Sequence, residues 1–234
     1  FDLVSLGRHP FTNWLGQLTK EDKAVILKAI SDVGASPFTK REITHLSDGE
    51  RQKVMIARAL AQQPKIMILD EPTAYLDFPN RVEILATLRR LANDNDQAVL
   101  LSTHDLNLAI SVADKMMIMD TDGNLAIGAP EDLIITGEFE QAFNPNGSLN
   151  FNPLEGTFSF NNRNGHRFAI EADNELLFTW TTKAIERLGF HVDPTAEIII
   201  RAVKHKTSFS WILDTGQNKP QFDSIYALIQ YLRQ

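Results

Sequence analysis

The chain has 234 residues, a formal net charge of −7, an ordinary apolar content of 43% and no cysteine. The lack of cysteine excludes disulfides and thiolate metal sites, and the acidic balance argues against nonspecific binding to nucleic acid or anionic lipid. No apolar stretch reaches the length of a membrane span. Because the first residue is Phe1 rather than Met, we expect the chain to be a fragment or a processed chain.

The first 45 residues have a mostly helical pattern. Thr19 followed three residues later by Asp22 has the spacing of a capping box, and an apolar run with helical periodicity comes directly after it. Residues 6–11, Leu-Gly-Arg-His-Pro-Phe, interrupt the pattern. We therefore predict one main helix that begins after Thr19 and ends near Gly34.

Residues 46–71 combine a polar turn, a helix and a strand. Residues 46–50, Leu-Ser-Asp-Gly-Glu, form the turn, and its Ser and Glu have capping-box spacing. A helix N-terminus of this kind favours an anion, because it offers free N–H groups and the positive end of the helix dipole. Residues 66–69 are an apolar run typical of a buried parallel strand with both faces covered. The run ends in Asp70 and Glu71, at the end where the strands of open α/β sheets bind ligands.

Helices and strands alternate in the next part of the chain. Asp77 is predicted to begin a helix with Pro79 in its first turn, and residues 98–102 are predicted to form a second buried strand. Asp105 is predicted to cap a short helix, and residues 116–127 to form a β-hairpin.

The last third of the chain has the pattern of a separate small domain. Residues 144–153 are rich in Asn, Pro, Gly and Ser, which is typical of a linker. Residues 150–234 then show the order β-β-α-β-β-α, which indicates a small α+β sandwich with its helices on one face. We place the first strand at Phe158 and Phe160, and we interpret the aromatic residues of this region as core.

Four short segments together resemble the ATP-binding cassette (ABC) family. Residues 46–50 resemble its signature sequence, and residues 66–71 resemble its Walker B strand. Residues 75–77 match its D-loop, and residues 102–105 match its switch-histidine loop. Residues 6–11 resemble the version found in importers of iron-siderophore, heme and cobalamin.

The resemblance implies the fold class and the domain division. We expect an α/β fold, a partial P-loop NTPase (ABC ATPase) sheet with a helical subdomain, in residues 1–145, and a small accessory α+β domain in residues 150–234. No Gly is followed by Lys, so the sequence lacks the motif G-x-x-x-x-G-K-[ST], whose backbone and lysine hold phosphates. We therefore expect the C-terminal part of an ABC ATPase subunit, and we expect the chain alone not to hydrolyse ATP.

The resemblance also implies roles for the polar residues that follow the strands. Asp70 is expected to hold Mg²⁺ through water, and Glu71 to orient and deprotonate the attacking water. His104 is expected to contact the γ-phosphate of ATP and to orient the same water. Outside this set of motifs, the same residues would be a polar strand end and a structural histidine.

The signature segment is expected to bind ATP that is held by a second subunit. Ser47 Oγ and the backbone N–H of Gly49 would contact the γ-phosphate, with Glu50 in the same turn, and a Cβ at Gly49 would obstruct this approach. The family more often has Gly in place of Asp48 and Gln in place of Glu50, and a carboxylate near phosphate is unfavourable unless it points away. Asp77 is either a helix cap alone or also a contact across the dimer interface.

The implied function is that of the ATP-binding subunit of an importer for iron-siderophore, heme or cobalamin. Such a subunit works as a homodimer on the cytoplasmic face of the inner membrane, with transmembrane permease subunits and, indirectly, a periplasmic binding protein. We expect no nucleic-acid partner. Two alternatives stay open: an ATP-independent regulatory or interaction module, which the missing P-loop motivates, and a soluble ABC ATPase of translation or DNA repair.

Overall fold

The computed structural model divides the chain into two compact units. The first contains residues 1–118 and 125–133, and the second contains residues 119–124 and 134–234. The structure describes residues 1–120, 122–144, 147, 149–160 and 165–233. Among the helices in these ranges, none has both the length and the apolar character needed to cross a bilayer. The domain boundary that the sequence analysis places at residues 145–150 stays a prediction.

The first unit consists of helices and two small sheets. Its helices are α1 (Asp2–Ser5), α2 (Lys20–Asp32), α3 (Asp48–Leu60), α4 (Phe78–Asp94) and α5 (Leu106–Val112), and α6 (Pro130–Ile135) follows at its end. Short 3-10 helices cover Leu6–Phe11, Ser36–Phe38 and Ile43–His45. The strands are β1 (Ile66–Leu69), β2 (Ala98–Leu101), β3 (Met116–Met119) and β4 (Leu125–Gly128). Strand β1 pairs in parallel with β2, and β3 pairs with β4 at the predicted hairpin.

Four helices of this unit begin at the residues predicted to cap them. The side chains of Thr19, Ser47, Asp77 and Asp105 each accept a hydrogen bond from the backbone N–H three residues later. In α2 and α3, the residue at that position also bonds back to the cap and completes a capping box. The predicted helix starts are therefore confirmed.

The core of the first unit covers one face of the β1–β2 sheet. Helices α2, α3 and α4 share an apolar cluster with β1, which includes Ile26, Ile30, Ile56, Leu60, Met67, Ile84, Leu88 and Leu91. On the opposite face, Ile66 and Ile68 are 62% and 73% exposed. The prediction that both faces of β1 are covered is therefore wrong for the part of the chain that the structure describes. A short apolar run has apolar residues on both faces of the strand. Its pattern therefore does not tell whether one face or both faces are covered.

The 3-10 helix near the N-terminus ties α2 to the end of α3. A Cβ on Gly7 would lie 2.2 Å from the carbonyl oxygen of Arg58, so the two backbones approach this closely only with glycine. The buried Arg8 donates through Nε to Asp22 Oδ1 at 2.8 Å and through Nη1 to the Ala61 carbonyl at 3.1 Å. The segment that interrupts the helical pattern is thus a packing element between two helices.

The second unit contains a hairpin and a five-stranded sheet. Helix α7 (Glu138–Phe143) precedes the hairpin of β5 (Leu149–Asn152) and β6 (Thr157–Phe160). The remaining elements are β7 (Arg167–Ala172), α8 (Glu175–Arg187), β8 (His191–Val192), β9 (Ile199–Lys204), β10 (Phe209–Asp214), β11 (Gln221–Phe222) and α9 (Ile225–Leu232). The strand order is β11-β10-β9-β7-β8. Helices α8 and α9 contact the five-stranded sheet and each other, so they lie on one face of that sheet, as predicted.

The hairpin differs from the sequence prediction. The strand predicted at Phe158 and Phe160 is present as β6, but it pairs with β5 and does not join the five-stranded sheet. Residues 149–152, predicted as linker, form β5, and residues 145, 146 and 148 of that linker lie outside the described residues. An aromatic cluster with ring centroids 4.7 to 6.5 Å apart joins this hairpin to α7: Phe139, Phe143, Phe151 and Phe158.

The five-stranded sheet and its two helices have a core of their own. Its buried members include Phe168, Leu177, Ile185, Ile200, Trp211 and Leu228. The indole Nε1 of Trp211 donates to Thr181 Oγ1 at 3.0 Å, which satisfies both polar groups inside the core. The interpretation of the aromatic residues as core is wrong for five exposed members: Phe178, Trp180, Phe209, Tyr226 and Tyr231.

Arg8→Ala is expected to lower the melting temperature of the chain by about 5–10 °C, because it leaves the buried Asp22 carboxylate without its charged partner. Lys28→Ala is the control: Lys28 pairs with Asp32 at 2.5 Å, but its side chain is 65% exposed, and such pairs contribute little. Thermal unfolding followed by circular dichroism measures both shifts. Equal shifts would contradict the role of Arg8.

The difference between the parent and Arg8→Ala should also shrink in acid. Hydrogen bonds from the Thr19 hydroxyl, then the Thr19 N–H and then Arg8, lower the pKa of Asp22 from its ordinary value of 3.8. A carboxylate with a lowered pKa stabilises the fold above its unfolded pKa, and this stabilisation is lost as the pH falls through the folded value. The difference between the two melting temperatures should therefore begin to shrink below about pH 4.

Residues 150–234 are expected to fold without the rest of the chain, because the five-stranded sheet and its helices bury one shared apolar core. The measurement is an amide NMR spectrum of this segment alone. Dispersed resonances are the expected result, whereas a collapsed spectrum would refute independent folding.

Candidate functional site

The two parallel strands of the first unit end at the same edge of their sheet. Asp70 and Glu71 follow β1, and Ser102 follows β2. Ser102 Oγ donates to Asp70 Oδ1 at 2.5 Å and accepts from the Glu71 backbone N–H at 2.9 Å. One serine therefore holds both acidic residues at this edge.

His104 lies beside the carboxylate of Glu71. The distance between His104 Nδ1 and Glu71 Oε1 is 3.4 Å, and the two side chains are 71% and 49% exposed. Glu71 has a left-handed backbone with φ of 42°, which is uncommon for a residue with a side chain. Backbone strain of this kind clusters at functional sites. The structure thus brings together the three residues predicted for chemistry at the strand ends.

The environment of Asp70 suits a magnesium ion. Mg²⁺ commonly takes one or two carboxylates and completes its coordination with water and substrate phosphates. Ser102 occupies Oδ1 of Asp70, whereas Oδ2 accepts no hydrogen bond from any residue that the structure describes. Within the same residues there is no cluster of three or more metal-ligating side chains. Asp70 therefore fits a site in which water and phosphate supply most of the ligands.

The signature turn forms a closed network before α3. Ser47 N–H donates to Glu50 Oε2 at 2.9 Å, and Glu50 N–H donates to Ser47 Oγ at 3.3 Å. Arg41 pairs with Glu50 at 3.1 Å, and Arg51 pairs with Asp48 at 3.3 Å. Each of the two carboxylates that depart from the family pattern is therefore paired with an arginine.

The D-loop meets the signature turn through Asn80. Asp77 Oδ1 accepts from the backbone N–H of Asn80 at 3.2 Å and from its Nδ2 at 2.6 Å. A Cβ on Gly49 would lie 2.9 Å from Asn80 Oδ1, so the asparagine side chain lies directly against the glycine. Tyr75 has φ of 64° and is 96% exposed. Asn80 thus contacts both Gly49 and Asp77.

The predicted site residues fall into two groups. The first group is Asp70, Glu71 and His104, and the second is Ser47, Gly49, Glu50 and Asp77. No hydrogen bond or ion pair between described residues joins a member of one group directly to a member of the other.

Sequence reasoning missed three residues that organise these groups: Ser102, Arg41 and Asn80. Ser102 had a usable signal, since it ends the second predicted strand and the carboxyl ends of parallel strands meet at one sheet edge. Arg41 and Asn80 have no comparable signal, because each acts on another element through a contact that depends on the fold.

Two segments of the chain match known protein families. Residues 4–74 match the family model described as ABC transporter, and residues 165–233 match the model described as iron ABC transporter C-terminal domain. An uncharacterized ABC transporter ATP-binding protein of Methanocaldococcus jannaschii is 44% identical over 57% of this chain and 46% of its own. A probable siderophore transport system ATP-binding protein of Bacillus subtilis is 37% identical over 66% of this chain and 56% of its own.

A solved structure supports the same comparison. It is described as an inward-facing metal-chelate type ABC transporter, with a TM-score of 0.57 and 31% identity over 61% of this chain and 57% of its own. Further curated relatives, 38% identical, have cobalamin import and hemin import in their names. The chain spans about half the length of the curated relatives that it matches.

The resemblance to the ABC family found in the sequence is confirmed by these matches. Residues 4–74 are part of an ABC transporter ATP-binding domain, and residues 165–233 are an iron ABC transporter C-terminal domain.

Glu50 is expected to titrate below the ordinary glutamate pKa of 4.5, mainly because Ser47 N–H donates to its carboxylate and secondarily because Arg41 lies beside it. Arg41→Ala should raise this pKa only part of the way, since the larger cause remains. Arg51→Ala is the control, because Arg51 pairs with Asp48 instead. Carbon-detected NMR titration of the Glu50 carboxyl measures this pKa in the parent and in the two variants. An unchanged pKa in Arg41→Ala would contradict the pairing.

Proposed function

We propose that this chain is part of the ATP-hydrolysing subunit of an ABC importer whose cargo is an iron-siderophore, heme or cobalamin. The observation that carries the proposal is the cluster of Asp70, Glu71 and His104 at the ends of two adjacent parallel strands. The cargo class is supported by the names of the relatives and by the iron ABC transporter C-terminal domain.

In this proposal Glu71 is the base of the reaction. Its carboxylate accepts a proton from the water that attacks the γ-phosphate. His104, whose Nδ1 lies 3.4 Å from Glu71 Oε1, is proposed to contact the γ-phosphate and to orient the same water. Ser102 bonds to Oδ1 of Asp70, and Oδ2 of Asp70 would hold hydrated Mg²⁺. Bound there, the ion would supply positive charge that neutralises phosphate oxygens during phosphoryl transfer.

The signature turn is proposed to act on ATP that is held by a second copy of the subunit. Ser47 Oγ uses a lone pair to accept from Glu50 N–H, which leaves its own O–H free to donate to a phosphate. The backbone N–H of Gly49 is proposed to contact the same phosphate. Capping and phosphate binding are therefore chemically compatible, and Asp77 is proposed to lie at the interface of the homodimer.

The importer assignment extends to partners and location. The subunit is proposed to bind transmembrane permease subunits on the cytoplasmic face of the inner membrane, and to serve a periplasmic binding protein indirectly. The family match and the import-named relatives support this assignment.

Glu71→Gln in the full-length protein is expected to reduce ATP turnover by about 10²–10⁴-fold, because glutamine keeps the shape of the side chain but takes no proton. ATP should still bind, so the variant should accumulate as a closed dimer with ATP and Mg²⁺. Phosphate release and size-exclusion chromatography measure the two effects. Parental turnover in Glu71→Gln would sink the assignment of the base.

Two further variants separate the roles at the strand ends. Asp70→Asn should weaken the closed dimer itself, since the metal loses its carboxylate, whereas His104→Ala should lose turnover with a smaller change in nucleotide affinity. The 234-residue chain alone is expected to release no phosphate from ATP, because its sequence lacks the P-loop motif. No ATP turnover by the full-length parent would favour the ATP-independent module instead.

A further inference from the structure

The first turn of α4 carries a residue that touches two motifs at once. Asn80 is half-buried, and its Nδ2 donates to Asp77 Oδ1 at 2.6 Å. The three atoms nearest to a Cβ built on Gly49 all belong to Asn80: Oδ1 at 2.9 Å, Cγ at 3.0 Å and Cβ at 3.5 Å. One amide group therefore contacts the D-loop through its nitrogen and the buried start of α3 through its oxygen.

The next residue extends this contact to the switch loop. Arg81 donates through Nε to the Leu76 carbonyl at 2.7 Å and through Nη1 to Asp105 Oδ2 at 3.3 Å. Asp105 directly follows His104 and caps α5. Asn80 and Arg81 thus attach three motifs to a single helical turn.

These attachments restrict how the motifs move relative to one another. Asp77 Oδ1 is shared by two donors of the same residue, so the carboxylate turns away only if Asn80 releases it. Pro79 lies in the same turn and fixes its own backbone angle φ. A displacement of the signature turn toward the D-loop would press Gly49 onto the Asn80 amide.

We propose that Asn80 is a positioning residue that sets the separation and orientation of the signature turn relative to the D-loop. It holds the Gly49 backbone and the Asp77 carboxylate in one fixed relation, and Arg81 carries that relation to the switch loop. The catalytic consequence rests on the proposed ATPase function, but the contact itself does not.

The contact is tested by a double-mutant cycle in this chain without nucleotide. Gly49→Ala places a methyl group against the Asn80 amide and should lower the urea midpoint of unfolding. In the Asn80→Ala background the nearest remaining atom would be Cβ of residue 80 at 3.5 Å, so the same substitution should leave the midpoint unchanged or raise it. If Gly49→Ala alone prevents folding, the double variant should restore it.

The matched control uses another asparagine of the same helix. Asn93 is exposed near the other end of α4, and Gly49→Ala should cost as much in an Asn93→Ala background as in the parent. Additive effects of Gly49→Ala and Asn80→Ala would overturn the contact.

The positioning role is tested by ATP turnover of the full-length protein. Asn80→Asp keeps the shape beside Gly49, but its side chain cannot donate to Asp77, and Asn80→Ala removes both side-chain contacts; the backbone N–H of residue 80 still donates to Asp77 in each variant. Each should lower kcat per folded subunit about tenfold or more, because misplacing a reacting group is costly, while KM for ATP stays within about twofold. Asn93→Ala should keep the parental values.

The outcomes separate this proposal from the ATPase assignment. Parental kcat in both Asn80 variants would overturn the positioning role. Equal ATP turnover in the parent and in Glu71→Gln would contradict the assignment of Glu71 as the catalytic base. The unfolding cycle would still support or refute the Asn80 contact in that case.

Discussion

The parallel pairing of β1 with β2 is the constraint on which the rest of the site depends. The register sets Leu69 beside Leu101, so the residues after each strand emerge side by side and Ser102 reaches both Asp70 and Glu71. Parallel neighbours require a crossover connection, and here that connection is α4. The helix that makes the pairing possible therefore begins just after the carboxyl end of β1, where Asp77 and Asn80 lie.

This geometry explains how one short helical turn meets several motifs. A crossover helix that follows a strand starts at the edge where the strands end, and its N-terminal side chains point to the surroundings of that edge. Asn80 contacts Gly49 of α3, and Arg81 contacts Asp105 ahead of α5. The signature turn is acidic by sequence, and its carboxylates are paired with Arg41 and Arg51.

The sequence predicted what depends on neighbouring residues and failed where distant contacts decide. Helix starts at Thr19, Ser47 and Asp77 followed from caps whose partners lie three residues away. The exposure of Ile66 and Ile68 was not predicted, because it depends on whether another element covers that face of the sheet. The pattern of the strand does not contain this information. Strand β6 was found but its partner was not, since a pattern with period two specifies a face and leaves the neighbour open.

The caps also explain why no single motif identifies the site. Ser47, Asp77 and Asp105 each have a sufficient local reason to be present, because a cap stabilises a helix by about 1 kcal/mol. A residue with such a role carries little information about chemistry. The contacts proposed to serve the site stabilise no helix end: Glu71 with His104, Asp70 with Ser102, and Gly49 with Asn80. Each joins segments about thirty residues apart, so selection for helix stability alone gives no reason for them.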